Sequence, residues 1–236
     1  FLNKYFIQTA DIDLDHATLS SKSWYDSTTG WLPIGNNESR FSGSYDGNGK
    51  TISNLHISTT VYTDCIDLFG GISGSESKVI WIIDSDITAN SCSYAGVLAA
   101  KSNGDSISNC YTTGSLTGSE GTGGFIGFIE GGSQITDCYT NVSVTCTSNT
   151  AGGFVSEVMF SDFIRCYSSG AVSGPNNIGG FASSISSVNC ENCYTVSNVT
   201  STTGIGGGFG AVSVQSTFSN CYSAGSITAT TPYGFS

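Results

Sequence analysis

The sequence predicts an all-β fold, a right-handed parallel β-helix of about seven rungs, each roughly 28 residues long. Two columns of residues carry that prediction. The dipeptide Cys-Tyr recurs at 110, 138, 166, 193 and 221, in steps of 28, 28, 27 and 28. A second column runs Phe69, Val97, Phe125, Phe154, Phe181, Phe209 and Phe235, in steps of 28, 28, 29, 27, 28 and 26. A third observation supports them. The residues between are short apolar-polar alternations bounded by turn residues, and no window sustains a helical period.

Residues 1–50 read as a divergent amino-terminal rung and residues 51–236 as regular rungs of one domain. Within a regular rung the first strand holds the Cys-Tyr pair, as in Ile107-Ser108-Asn109-Cys110-Tyr111. The second sets an apolar residue between small polar ones, as in Ser115-Leu116-Thr117 and Ser143-Val144-Thr145. The third begins at the Gly-Phe site, as in Gly152-Gly153-Phe154. Glycine there answers either a positive φ or a close backbone approach at a corner. A unit this short cannot bury its apolar face alone; stacking like on like buries it. Seven rungs at a strand spacing of about 4.8 Å give a rod on the order of 30–35 Å long.

Composition narrows the function. The net charge is -11 and only seven residues are Lys or Arg, which argues against nucleic acid and anionic lipid. Aromatics at 11% exclude a disordered Ser/Gly linker. No apolar run approaches a membrane span. The sequons at Asn37, Asn141 and Asn198 are candidate N-glycosylation sites and fit an extracellular or cell-surface protein.

The amino-terminal stretch carries a more specific signature. It reads Phe6-Ile7-Gln8-Thr9-Ala10-Asp11-Ile12-Asp13-Leu14, then Trp31-Leu32-Pro33-Ile34-Gly35, then Phe41-Ser42-Gly43-Ser44-Tyr45-Asp46-Gly47-Asn48-Gly49-Lys50-Thr51-Ile52, then Leu68-Phe69-Gly70. This resembles the GLUG-repeat family, and the later Gly-Gly-Phe and Ile-x-Asn-Cys pieces resemble its downstream repeats. The resemblance implies a β-helix of large secreted or surface-anchored proteins, including adhesins and non-catalytic regions of immunoglobulin A peptidases. It supplies no catalytic residues. The dense Cys-Tyr repeat departs from the family pattern.

Cysteines number nine. Cys110, Cys138, Cys166, Cys193 and Cys221 read as a core thiol column, since a free Cys behaves as a small hydrophobe. Cys190 stands where other rungs carry Ile107, Ile135, Phe163 and Phe218, so Cys190-x-x-Cys193 reads as core and not as a redox pair. Neighbouring column members meet awkwardly for disulfides at the strand spacing. Tetrahedral metal binding needs convergent ligands, and no metal or cofactor is expected. Cys65 and Cys92 lie 27 apart and are the candidate disulfide.

With Cys inward, Tyr111, Tyr139, Tyr167, Tyr194 and Tyr222 face outward as an aromatic ladder. Such a stripe is a candidate surface for glycans or a protein partner. The plainer reading is a structural ladder packed on itself. Thr117, Thr145, Ser173, Thr200 and Thr228 form another row, with Ser115, Ser143, Ala171, Asn198 and Ser226 beside it. Mixed residue types make it a poor ice-matching lattice, and a solvated strand face is the plainer reading. Paired acids for polysaccharide hydrolysis do not recur from rung to rung. Asp11, Asp13 and Asp15 alternate on one strand, and Asp84 and Asp86 share a face. The leading expectation is a non-enzymatic structural segment, a rigid spacer and side-chain display. It is expected to continue in a parent chain or a neighbouring copy, stacking end to end. The alternatives are an adhesin-type binding module and an ice-binding or polysaccharide-processing β-helix.

Overall fold

The computed structural model describes residues 1–15, 25–26, 28–59 and 67–235. Among these the regular elements are all strands, most of them stacked in parallel rungs, and no helix is long and apolar enough to cross a membrane. Three faces wind along the chain. The first is an eight-stranded parallel sheet that includes Ser44–Asp46, Glu76–Lys78, Ser106–Ser108, Gln134–Thr136, Asp162–Ile164, Asn189–Glu191 and Thr217–Ser219. The second carries the longest strands, among them Trp81–Ala89, Tyr111–Gly118 and Tyr139–Cys146. The third runs from Ile72–Ser73 through Ala99–Asn103, Ile126–Glu130, Val155–Met159 and Ala182–Ser186 to Gly210–Val214.

The register explains the period. Ile107, Ile135, Phe163, Cys190 and Phe218 pair in sequence on the first face, so Cys190 occupies a core column. Leu116, Val144, Val172, Val199 and Ile227 do the same on the second. Phe125, Phe154, Phe181 and Phe209 are fully buried, with ring centroids 4.8, 4.9 and 4.7 Å apart. Phe163 meets Phe154 and Phe181 edge-on. Each such ring contributes roughly 1.5–3 kcal/mol by leaving water.

One sequence expectation changes at the corners. The Cys-Tyr segment is not one strand. Ser106–Ser108 ends on the first face, Asn109 adopts φ 54°, and Tyr111 opens the second face. The same left-handed corner falls on Val79, Asp137, Arg165, Asn192 and Asn220, with φ between 53° and 55°. Asn and Asp tolerate that region best, because their short polar side chains bond locally. Arg165 is held there by a bidentate pair with Asp137, at 2.6 and 2.8 Å.

The Gly-Gly-Phe glycines, by contrast, serve close approach. A Cβ on Gly124, Gly153 or Gly180 would collide with the carbonyl oxygen of the equivalent glycine one rung on. Their φ values are ordinary. At the amino terminus, Tyr5–Ile7 and Ile12–Asp13 already pair in parallel with Ser44–Asp46 and Thr51–Ser53. Residues 1–50 therefore feed two successive rungs. A small antiparallel pairing joins Tyr25–Asp26 to Gly30–Trp31, and Gly30 to Ile57.

Candidate functional site

The tyrosine ladder begins where the chain leaves the left-handed corner. The Cys turns inward, and the next residue turns outward onto the second face. Cys110, Cys138, Cys166 and Cys193 are fully buried, whereas Tyr111, Tyr139, Tyr167 and Tyr194 are half-buried at the surface. Registers Tyr111 to Tyr139, Tyr139 to Tyr167, Tyr167 to Tyr194 and Tyr194 to Tyr222 hold the column straight. The four ring pairs stack at 4.8, 4.9, 4.7 and 5.0 Å, with interplanar angles of 3°, 1°, 5° and 3°. Trp81 extends the ladder, 5.8 Å from Tyr111.

This geometry limits what the ladder can bind. Aromatic carbons in contact sit about 3.5–4.0 Å apart. Centroids 4.7 to 5.0 Å apart therefore leave no gap for another ring. Each interior tyrosine gives both its faces to its neighbours and presents an edge and a hydroxyl to solvent. Burial against the sheet, and then the neighbouring tyrosines, push the Tyr139, Tyr167 and Tyr194 phenols up from their ordinary value.

A row that sequence reasoning missed lies two residues beyond each column Cys. Thr112, Thr140, Ser168 and Thr195 are buried. The Thr112 hydroxyl donates to the Gly124 carbonyl at 3.0 Å and shares a hydrogen bond with the Thr140 hydroxyl at 2.9 Å. Ser168 repeats the pattern with Gly180 at 2.7 Å and Thr195 at 2.9 Å. The signal was present as Cys-Tyr-Thr/Ser, but a hydroxyl in a strand reads as exposed until its partner is known. A second missed cluster spans three rungs. Tyr94 stacks on Phe128 at 5.1 Å, donates to Glu157 at 3.2 Å and lies under the Lys101 ammonium, 5.4 Å from the ring centre. Burial first, then the Glu157 charge, push its phenol up to about 12.

The acids on the second face gain a partner. His56 pairs in register with Asp86, and His56 Nδ1 sits 3.3 Å from Asp86 Oδ2. Asp15, Asn54, His56, Asp84 and Asp86 together line an open, solvent-exposed depression. The Thr117 row and its neighbour lie on the outer surface of the same face, in register and partly or fully exposed.

The sequons differ in setting. Asn141 is exposed beside Tyr139, on the outer surface of Tyr139–Cys146. Asn198 Oδ1 accepts from the Ser226 amide and hydroxyl at 3.0 and 2.8 Å. Asn37 Oδ1 accepts from Arg40 at 3.1 Å. Cys92 is buried, and Cys65 lies outside the described residues, so their proposed pairing gains no geometry.

Comparison with known proteins agrees with this architecture. A crystal structure assigned as an immunoglobulin A1 protease from Bacteroides ovatus superposes with a TM-score of 0.73 at 23% identity, over 96% of this chain and 71% of that one. A second structure, titled IgA1 Protease, gives a TM-score of 0.66 at 13% identity, over 100% of this chain and 20% of that one. At these identities the likeness is one of fold. Halomucin of Haloquadratum walsbyi is 37% identical over 132 residues, which is 54% of this chain and 1% of halomucin. No family model matches the chain, so membership of the GLUG family is not shown.

Proposed function

We propose that this chain is a non-enzymatic, GLUG-type β-helical segment of an extracellular surface protein, acting as a stiff spacer that displays side chains in rows. The observation that carries the reading is the unbroken column from Tyr111 to Tyr222, stacked ring on ring at the surface, with Trp81 tilted against its first member. A column that fills its own binding faces serves rigidity. The local likeness to halomucin and the fold shared with immunoglobulin A1 protease chains support a surface location. Its partners in this reading are further copies of itself or surface glycans and proteins. Two measurements test it together. Limited proteolysis of the folded chain should spare the rungs, and small-angle scattering should return a rod with a length on the order of 30–35 Å. Rapid cleavage within rungs, or turnover of a polysaccharide or peptide substrate, would sink it.

A second reading is an adhesin-type module that uses the ladder. The row of outward tyrosine edges favours it, because edges and hydroxyls remain available to hydrogen-bond a glycan or a protein strand. A glycan array run with Tyr139→Ala and Tyr167→Ala separates the two. Binding lost in both variants favours the adhesin, and absent or indifferent binding favours the spacer.

A further inference from the structure

The tyrosine ladder is also a chain of oxidisable rings in contact. Five phenols stack face to face at 4.8, 4.9, 4.7 and 5.0 Å, parallel within 5°. Trp81 leans on the first of them, 5.8 Å away. Indole and phenol rings give up one electron far more readily than benzene rings do. Orbital overlap falls steeply with the gap between rings, so an electron crosses such a stack far faster than it crosses solvent. The parallel registers put Tyr111, Tyr139, Tyr167, Tyr194 and Tyr222 in equivalent places on successive rungs. Equivalent rings have nearly equal energies, so passing an electron between neighbours is nearly neutral in free energy.

The proton has a route as well. A phenol, with an ordinary pKa of about 10, keeps its hydrogen at neutral pH and loses it when the ring is oxidised. Because strands and rings advance in step, neighbouring hydroxyls on the solvent side stand about 4.8 Å apart, one strand spacing. A water hydrogen-bonded at about 2.8 Å to each spans that distance. Tyr222 is the most exposed of the five, at 52%. The core column Phe125, Phe154, Phe181 and Phe209 has the same spacing but no hydroxyl and no contact with water. A ring stack by itself therefore does not require phenols, and a phenylalanine placed in the ladder would keep the stack and block the electron.

We propose that the ladder is a one-electron relay, which accepts an oxidising equivalent at Trp81 and delivers it to Tyr222. A one-electron oxidant, a radical reaching the surface, takes an electron from Trp81, and the indole N–H proton leaves to solvent. The indolyl radical takes an electron from Tyr111 and a proton from water, and Tyr111 releases its own hydroxyl proton. Each later step moves one electron and one proton from the next phenol back to the radical before it. At Tyr222 a soluble reductant returns one electron, and water returns the proton. The sum is one electron passed from reductant to oxidant, with the chain unchanged. The radical stays on the outer surface, one residue along the chain from buried Cys110, Cys138, Cys166 and Cys193.

Light at the red edge of the indole band, with a cobalt(III) ammine as irreversible electron acceptor, oxidises tryptophan in the folded full chain and leaves tyrosine unexcited. Trp81→Phe is the blank for the other two tryptophans. A nitroso spin trap marks the ring that holds the radical, and peptide mass spectrometry locates the mark. In the native chain marks should reach Tyr194 and Tyr222, and Trp81→Phe should lose them. Tyr139→Phe should confine marks to Tyr111, and Tyr167→Phe should confine them to Tyr111 and Tyr139. Either block suffices should the other disturb the fold, which circular dichroism checks. Marks on Tyr111 alone in the native chain, marks on Tyr222 that survive either block or Trp81→Phe, or oxidation lodged in the column cysteines with no mark on the ladder would overturn the proposal.

Discussion

Removing one tyrosine from the middle of the ladder tests whether the column bears load. Tyr167 stacks on Tyr139 at 4.9 Å and on Tyr194 at 4.7 Å. A stacked aromatic pair is worth about 0.5–1.5 kcal/mol beyond burial, so Tyr167→Ala should cost about 1–3 kcal/mol from the two lost pairs. The double variant sharpens the test. Tyr139→Ala loses the pairs with Tyr111 and Tyr167. The pair between Tyr139 and Tyr167 belongs to both single variants, so removing both residues deletes three pairs and not four. The double should therefore cost less than the sum of the singles by about 0.5–1.5 kcal/mol. Tyr167→Phe is the control. It keeps the ring that makes both stacks, so the change should stay within about 0.5 kcal/mol. Urea unfolding followed by circular dichroism supplies all four numbers. A Tyr167→Ala cost under about 0.5 kcal/mol, with singles that simply add, would refute the structural account and return the ladder to a binding role.

Three further outcomes follow from the corners and the core. Gly153→Ala forces a methyl against the Gly180 carbonyl, so it should destabilise by about 1–3 kcal/mol or more in the same urea assay. Phe160 adopts φ 51° and is 64% exposed where two other rungs use Gly104 and Gly131; Phe160→Gly should be neutral or stabilise by up to about 1 kcal/mol, read as a raised midpoint. Burial holds the Asp67 carboxyl well above its usual 3.8, with its Oδ2 lacking a partner among the described residues. A raised carboxyl in the folded state binds protons the unfolded state has released, so stability falls as pH climbs above about 3.8 toward the folded value. Asp67→Asn removes that loss. The melting temperature of the variant minus that of the native chain should therefore grow between pH 4 and pH 7, and a constant difference would contradict it.

Periodicity made the columns legible because stacking places equivalent residues directly above one another. Cys190 could be assigned to the Ile107 and Phe163 column from spacing alone, and the register agrees. What spacing could not give is the path between columns. Asn109 looked like a strand residue between Ser108 and Cys110, yet it turns the corner in the left-handed region. A polar residue that alternates correctly gives no sign that its backbone has changed hand. The Gly-Gly-Phe glycines were legible as special, but the choice between positive φ and close approach needed the neighbouring rung. Buried hydroxyls at Thr112 and Ser168 were hidden for a related reason. Their partners are carbonyls twelve residues away around the same rung, at Gly124 and Gly180.

The same logic bears on where specificity resides. A residue type repeated at every rung solves a problem posed at every rung, which is stacking. The tyrosines, phenylalanines and buried hydroxyls answer it, and their side chains contact mainly their own kind. A feature confined to one rung or a few answers something else. His56 with Asp86 is one such feature, and Tyr94 with Phe128, Glu157 and Lys101 is another. Recognition of a particular partner would have to be written in residues like these, because a uniform column presents the same surface at each step and cannot fix a register along its own axis. The spacer reading and the search for a binding surface are therefore compatible: the columns make the rod, and the exceptions are what a partner can tell apart.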